Sequence, residues 1–133
     1  MVRMKAAELF ETRQITLLAL KCFPDLTYDS LYMEIHKVIS SDNGVVYIVL
    51  HNDALIAFAH CELQQEDEDQ KGSPAILRRL CVEEEYRRKK IATRLAKECA
   101  RWAKKKGCSE LLYDCIEGYE EFVRVLYLLN LGE

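Results

Sequence analysis

The sequence predicts a mixed α/β (α+β) fold: a mostly antiparallel, twisted sheet flanked by helices. Two observations carry this. Helix-period segments come first, strand-period segments follow, and an amphipathic helix then leads into one more short strand. The 133 residues are 50% hydrophobic, which suits a single domain, 1–133, with a substantial core.

The elements follow in order. "VR" at Val2–Arg3 predicts a very short first strand. Residues 5–21 place Leu9, Phe10, Leu17, Leu18 and Leu20 at helical intervals, and Pro24 ends that helix. "TYDSLYMEIHKVIS" reads as a second helix, with Leu31, Ile35, Val38 and Ile39 on one face and Asp29 near its start. "VVYIVL" (45–50) is a strand by its β-branched content, "HND" a turn, and "LIAFAHCEL" (55–63) the returning strand of a hairpin. A polar loop closed by Gly72 and Pro74 precedes "AILRRLCV" (75–82), a third long strand. Its adjacent arginines break strict alternation, which predicts an irregularity in the pairing. A helix from about Arg88 to Lys106 carries Ile91, Leu95, Cys99 and Trp102 on one stripe and stops at Gly107. "ELLYDC" (110–115) is a short strand.

Charge and cysteines bound the function. A net charge of −3 argues against a general nucleic-acid binder. The basic residues are local, in 87–90 and 101–106, and so are the acidic ones, in 66–69 and 83–85. The six cysteines form no CxxC pair and have no histidine at ligand spacing, so no metal site is expected. They read as small buried hydrophobes in a reducing compartment. No apolar run reaches the roughly 20 residues of a membrane span, and no signal pattern opens the chain. The expectation is a cytoplasmic protein with no membrane partner.

One stretch is puzzling. "EEEYRRKKIATRLAKECARWAKKKGC" crowds Arg87, Arg88, Lys89 and Lys90 where a helix begins. That end carries roughly +0.5 elementary charge and repels cations. Strand, basic turn and helix together grip an anion, because the first backbone N–H groups and the side chains converge on it. The plainer reading is a solvated charge run.

The residues favour the anion. "VEEEYRRKKIATRLAKECARWAKKKGCSEL" closely resembles the core signature of the GNAT acetyltransferase superfamily: Arg or Gln, two residues, Gly, one residue, Gly or Ala. Arg87 matches the first position and Ala92 the last, while Lys90 stands where Gly is usual. The flanking "RWAKKKGC" and "VVYIVLHNDALIAFAHCEL" look more like the aminoglycoside 6′-N-acetyltransferase branch. The likeness spans roughly residues 45–128.

The resemblance implies acetyl-coenzyme A as donor. The turn formed by Arg87, Arg88, Lys89, Lys90, Ile91, Ala92 and Thr93 would wrap the pyrophosphate of coenzyme A. The strand at Leu80, Cys81 and Val82 would pair with the pantetheine arm through its main chain, and a backbone N–H there would polarise the acetyl carbonyl. The acceptor, a small-molecule primary amine, attacks directly, and the domain is a candidate homodimer. A Lys at position 90 is tolerated if that position is helical.

Transfer needs a neutral amine, a path for its proton and a donor for the leaving thiolate. The branch keeps a Glu in the middle of the third long strand, where this sequence has Arg78. That departure repels a polycationic aminoglycoside and suits an acceptor bearing a carboxylate. Asp114 matches the branch's Asp near the acceptor amine. Glu62 is a second candidate base, and His60 a weaker candidate on the same strand. The loop Glu66–Asp69 would attract a cation if it were not simply solvated. The tail "GYEEFVRVLYLLNLGE" reads as a final hairpin or as a last helix. Either way one family element, the last helix or the last hairpin, is missing. Tyr119 and Tyr127 are stand-ins for the lost thiolate donor. The leading expectation is an N-acetyltransferase. The alternatives are an acyl-coenzyme A-binding protein with weak or lost catalysis and, further back, a nucleic-acid or other anion binder.

Overall fold

A computed structural model describes residues 2–64 and 74–113. The chain runs β1 (Val2–Ala6), α1 (Thr12–Cys22), α2 (Tyr28–Ile39), β2 (Gly44–His51), β3 (Ala54–Leu63), β4 (Ala75–Val82), α3 (Ile91–Lys105) and β5 (Leu111–Tyr113). The strands form one sheet in that spatial order. β1 to β4 are antiparallel neighbours, and β5 runs parallel to β4 after the α3 crossover. This is the mixed, mostly antiparallel sheet flanked by helices that the sequence predicts. The acidic loop at 66–69, Asp114, Cys115 and the tail at 116–133 lie outside the described residues, so both readings of the tail do too.

Alternation along the strands divides the core in two. Ala57, Ala59, Cys61, Leu77, Leu80 and Val82 pack with Ile91, Leu95, Cys99 and Ala103 of α3. Val46, Ile48, Phe58 and Cys81 pack on the opposite face with Ile15 and Leu18 of α1 and Leu31 and Ile35 of α2. Thr27 caps α2 by accepting the backbone N–H of Ser30 at 3.2 Å. Gly44 is needed where α2 crosses the sheet, since a Cβ there would stand 2.9 Å from Val38 Cγ1.

Four expectations change. The first strand is longer than Val2–Arg3, because Val2–Ala6 pairs with β2 over its whole length. The first helix starts at Thr12 rather than at residue 5. A helical turn, Leu9–Glu11, precedes it, closed by a reciprocal Glu8–Glu11 capping box. Leu9 and Phe10 are therefore exposed, and Ile15, Leu18 and Ala19 form the buried face. α3 starts at Ile91 rather than Arg88, because Arg88 and Lys90 take left-handed backbone angles (φ 65° and 64°). The cysteines are not all free: Cys22 and Cys81 form a disulfide, with Cα atoms 6.1 Å apart, inside the bonding range. Cys61, Cys99 and Cys108 are free and buried.

Candidate active site

The first half of the site is the turn between β4 and α3. After Val82 the chain makes a helical turn at Glu84–Tyr86. The Tyr86 hydroxyl lies 2.7 Å from Nδ1 of His51, which ties this turn to the β2–β3 hairpin. Arg87 folds back and donates from Nε to the Val82 carbonyl oxygen at 3.1 Å. The two left-handed residues, Arg88 and Lys90, then bend the backbone so that α3 starts at Ile91. Lys90 is the N-cap of α3, and no side chain caps that end. A left-handed residue is where glycine costs least, which explains the glycine usual in this signature and shows that Lys90 is not helical. The four cations belong to the turn before the helix, not to its first turn. Backbone N–H groups of the opening of α3 and the Arg87–Lys90 side chains thus share one end of β4, a fit to a pyrophosphate.

β4 itself supplies the neighbouring edge. It pairs with β5 only through Ala75, Ile76 and Leu77, and the described part of β5 ends there. Leu80 and Val82 turn their side chains into the α3 core, and Cys81 turns into the α1–α2 core and its disulfide. What Leu80–Val82 can offer a ligand is main chain.

The second half lies on the α1–α2 face and is a chain of ionisable groups. The pairing of β3 with β4 slips after His60: His60 faces Arg79, while Cys61 faces Leu77. Arg78 is the extra residue of that bulge. The predicted irregularity is real, and it lets two adjacent arginines work on one face. Arg78 Nε binds Glu62 Oε1 at 2.5 Å. Arg79 makes a bidentate contact to Glu34 of α2, with Nη2 donating to Oε1 at 3.0 Å, and its guanidinium lies 4.9 Å from the Phe23 ring centre. His60 sits between the carboxylates, with Nδ1 3.6 Å from Glu34 Oε2 and Nε2 3.5 Å from Glu62 Oε2. Only 2% of His60 is exposed, and neither ring nitrogen has a partner at hydrogen-bond distance.

The electrostatics follow. Burial would raise the Glu34 carboxyl, but His60 and Arg79 outweigh it and hold it at about 2. His60 and Arg78 hold Glu62 at about 2 against its own burial. Burial pushes the His60 imidazole down, yet the two carboxylates prevail and leave it raised. The neighbouring Cys99 and burial push the Cys61 thiol far up, so it is no nucleophile.

Of the residues predicted from sequence, Glu62 and Arg78 are brought together as an ion pair, Arg87–Lys90 form the turn, and Ile91, Ala92 and Thr93 open α3. Asp114 falls outside the described residues. Glu34 and Arg79 were missed. Glu34 lies three residues after Leu31 on the buried edge of α2, and His60 and Glu62 continue the inward alternation of Phe58. A carboxylate and an imidazole on inward stripes were the available signals. Among the described residues no cluster of three or more His, Cys, Asp or Glu is arranged to hold a metal ion. No described helix is long and apolar enough to cross a membrane.

Comparison with known proteins agrees with this fold. The fold closely matches AAC(6′)-Iy, an aminoglycoside N-acetyltransferase solved in complex with CoA: TM-score 0.82, 17% identity, 97% of this chain and 86% of that one. It matches the aminoglycoside 6′-N-acetyltransferase AAC(6′)-Ih from Acinetobacter baumannii with TM-score 0.78 and 21% identity, over 97% of this chain and 89% of the other. A ribosomal-protein-alanine N-acetyltransferase from Brucella melitensis matches with TM-score 0.73 and 12% identity, over 98% and 91%. No curated protein matches the sequence. The model of the Acetyltransferase (GNAT) family matches residues 7–126, nearly the whole chain. The chain belongs to the GNAT family of N-acetyltransferases, whose donor is acetyl-coenzyme A.

Proposed function

We propose that this protein moves an acetyl group from acetyl-coenzyme A to the primary amine of a small molecule. The observation that carries this is the Arg87–Ala92 turn. Two left-handed residues deliver an uncapped helix start and four cations to the end of β4. Arg87, Arg88, Lys89 and Lys90 would hold the pyrophosphate with the first N–H groups of α3, and the main chain of Leu80–Val82 would face the pantetheine arm. Bound there, acetyl-coenzyme A supplies an activated thioester. Glu62, on the α1–α2 face, accepts a proton from the acceptor amine, and Asp114 positions that amine.

Aminoglycosides are the first acceptors to test, because two of the matching structures are aminoglycoside acetyltransferases. Such an activity would be an antibiotic-resistance activity of a cytoplasmic enzyme. A second acceptor class is favoured by a specific observation. Arg78 and Arg79 neutralise Glu62 and Glu34, so these two carboxylates offer a polycation no uncompensated negative charge. An amine that also carries a carboxylate fits this face better.

The test is calorimetry with coenzyme A followed by thiol release. Arg87→Glu combined with Arg88→Glu should weaken coenzyme binding by at least about tenfold, as charge-assisted contacts are lost, with thermal stability little changed. Equal affinity in the double variant would move the coenzyme elsewhere. Thiol release with kanamycin-type amines against amino acids then decides the acceptor class. Asp114→Asn should lower turnover about 10²-fold or more with coenzyme affinity kept.

A further inference from the structure

We propose that His60 is the internal proton acceptor that serves Glu62 during acetyl transfer. The inference rests on the acetyltransferase reading. The ring bridges two carboxylates. Glu62 is a half-buried carboxylate with Oε1 on the solvent-facing Arg78 and Oε2 turned inward, 3.5 Å from His60 Nε2. On the other side of the ring, Nδ1 lies 3.6 Å from Glu34 Oε2, and Arg79 binds both oxygens of that carboxylate. Each ring nitrogen thus faces one carboxylate at nearly the same distance, so a proton on either is held by a negative charge, and Nε2 is the nitrogen that faces Glu62.

Glu62 alone is a poor store for a proton. His60 and Arg78 both hold its carboxyl low. The imidazole behind it is held above the ordinary histidine range by its carboxylate neighbours, so it can keep what Glu62 cannot. The groups facing it are Glu34 from α2, Glu62 on its own strand and Arg79 opposite on β4, with Arg78 one residue beyond. β2 contributes Val46, which carries no charge.

The proton balance is complete. The acceptor R–NH₃⁺ gives one proton to Glu62 and thence to His60. The neutral nitrogen attacks the thioester carbon, a C–N bond forms and the C–S bond breaks. The second N–H proton ends on the released thiol, and His60 returns the first to solvent through Glu62. His60 acts through Glu62 and does not touch the acceptor.

The test has a readout independent of turnover. Ring ¹⁵N–¹H spectra of the labelled full chain follow the three histidines, with His60→Gln assigning the resonance. His60 should titrate above the ordinary value of about 6.5 and shift its midpoint downward in Glu62→Gln. The pH profile of kcat/KM with acetyl-coenzyme A and kanamycin, or whichever amine is accepted, should rise through that same midpoint. His60→Gln should lose this limb and about 10²-fold in kcat, with coenzyme affinity unchanged. A midpoint indifferent to Glu62→Gln, or a limb that survives in His60→Gln, overturns the assignment of His60. If His60→Gln does not fold, the wild-type and Glu62→Gln titrations decide alone. Coenzyme binding without turnover on any amine overturns the acetyltransferase reading and this proposal together.

Discussion

At the scale of a single residue, Lys90 carries the most information. A left-handed conformation costs a residue with a Cβ roughly 1–2 kcal/mol, and glycine little. Lys90 adopts it at φ 64° because Arg87 is anchored to Val82 and Ile91 must enter the α3 core. Lys90→Gly should therefore stabilise the domain by about 0.5–1 kcal/mol, the unfolded chain's extra freedom offsetting part of the relief. Lys90→Ala should give no such gain. Urea midpoints of the three proteins check this, and a destabilised glycine variant would mean that the turn is not held left-handed. The same substitution removes one cation, so coenzyme affinity in Lys90→Gly separates the value of that charge from the value of the backbone.

At the scale of elements, the bulge in β4 sets the character of the site. Without the extra residue, Arg78 and Arg79 would point to opposite faces; with it, both reach the α1–α2 side. They are not equivalent there. Arg79 is held by two bonds to Glu34 and by the Phe23 ring, whereas Arg78 is 40% exposed. Arg79→Ala leaves Glu34 and His60 without their guanidinium and should cost about 1–3 kcal/mol, while Arg78→Ala should cost about 0–1. Chemical denaturation of both variants is the comparison, and equal losses would mean that the bulge places them alike. The sequence announced the bulge through two adjacent arginines in a strand, because alternation is local. It also announced the hairpin, α2 and the stop of α3 at Gly107, where Cys108 and Gly107 N–H groups close on Ala103 and Lys104. It did not announce the Glu34–Arg79 pair, which joins residues 45 apart in the chain. Nor did it give the true start of α1, since Leu9 and Phe10 mimic a helical face that a capping box turns to solvent.

At the scale of the whole molecule, one covalent link spans the layers. The Cys22–Cys81 disulfide fixes the end of α1 to β4, the strand that leads into the basic turn, and it joins residues 59 apart. A cross-link of that span removes chain entropy from the unfolded state worth at most about 4 kcal/mol. Its second effect is local. Cys81 stands between Leu80 and Val82, so the bond also limits how far β4 can shift against α1 when a ligand pairs with its main chain. Reduction should therefore lower the unfolding free energy by about 2–4 kcal/mol. The loss should appear in wild type and be absent in Cys22→Ala, which starts from the reduced level. Urea melts with and without dithiothreitol measure the first effect, and coenzyme A calorimetry in the same buffers measures the second. If reductant leaves the wild-type midpoint where it was, the two sulfurs are thiols in solution. The α1–β4 contact is then held without a covalent link, by the apolar packing of Ile15, Leu18 and Ala19, the Phe23–Arg79 contact and the Lys21–Glu83 ion pair. If stability falls while coenzyme affinity holds, β4 is rigid through its pairing with β3, and the bond serves folding only.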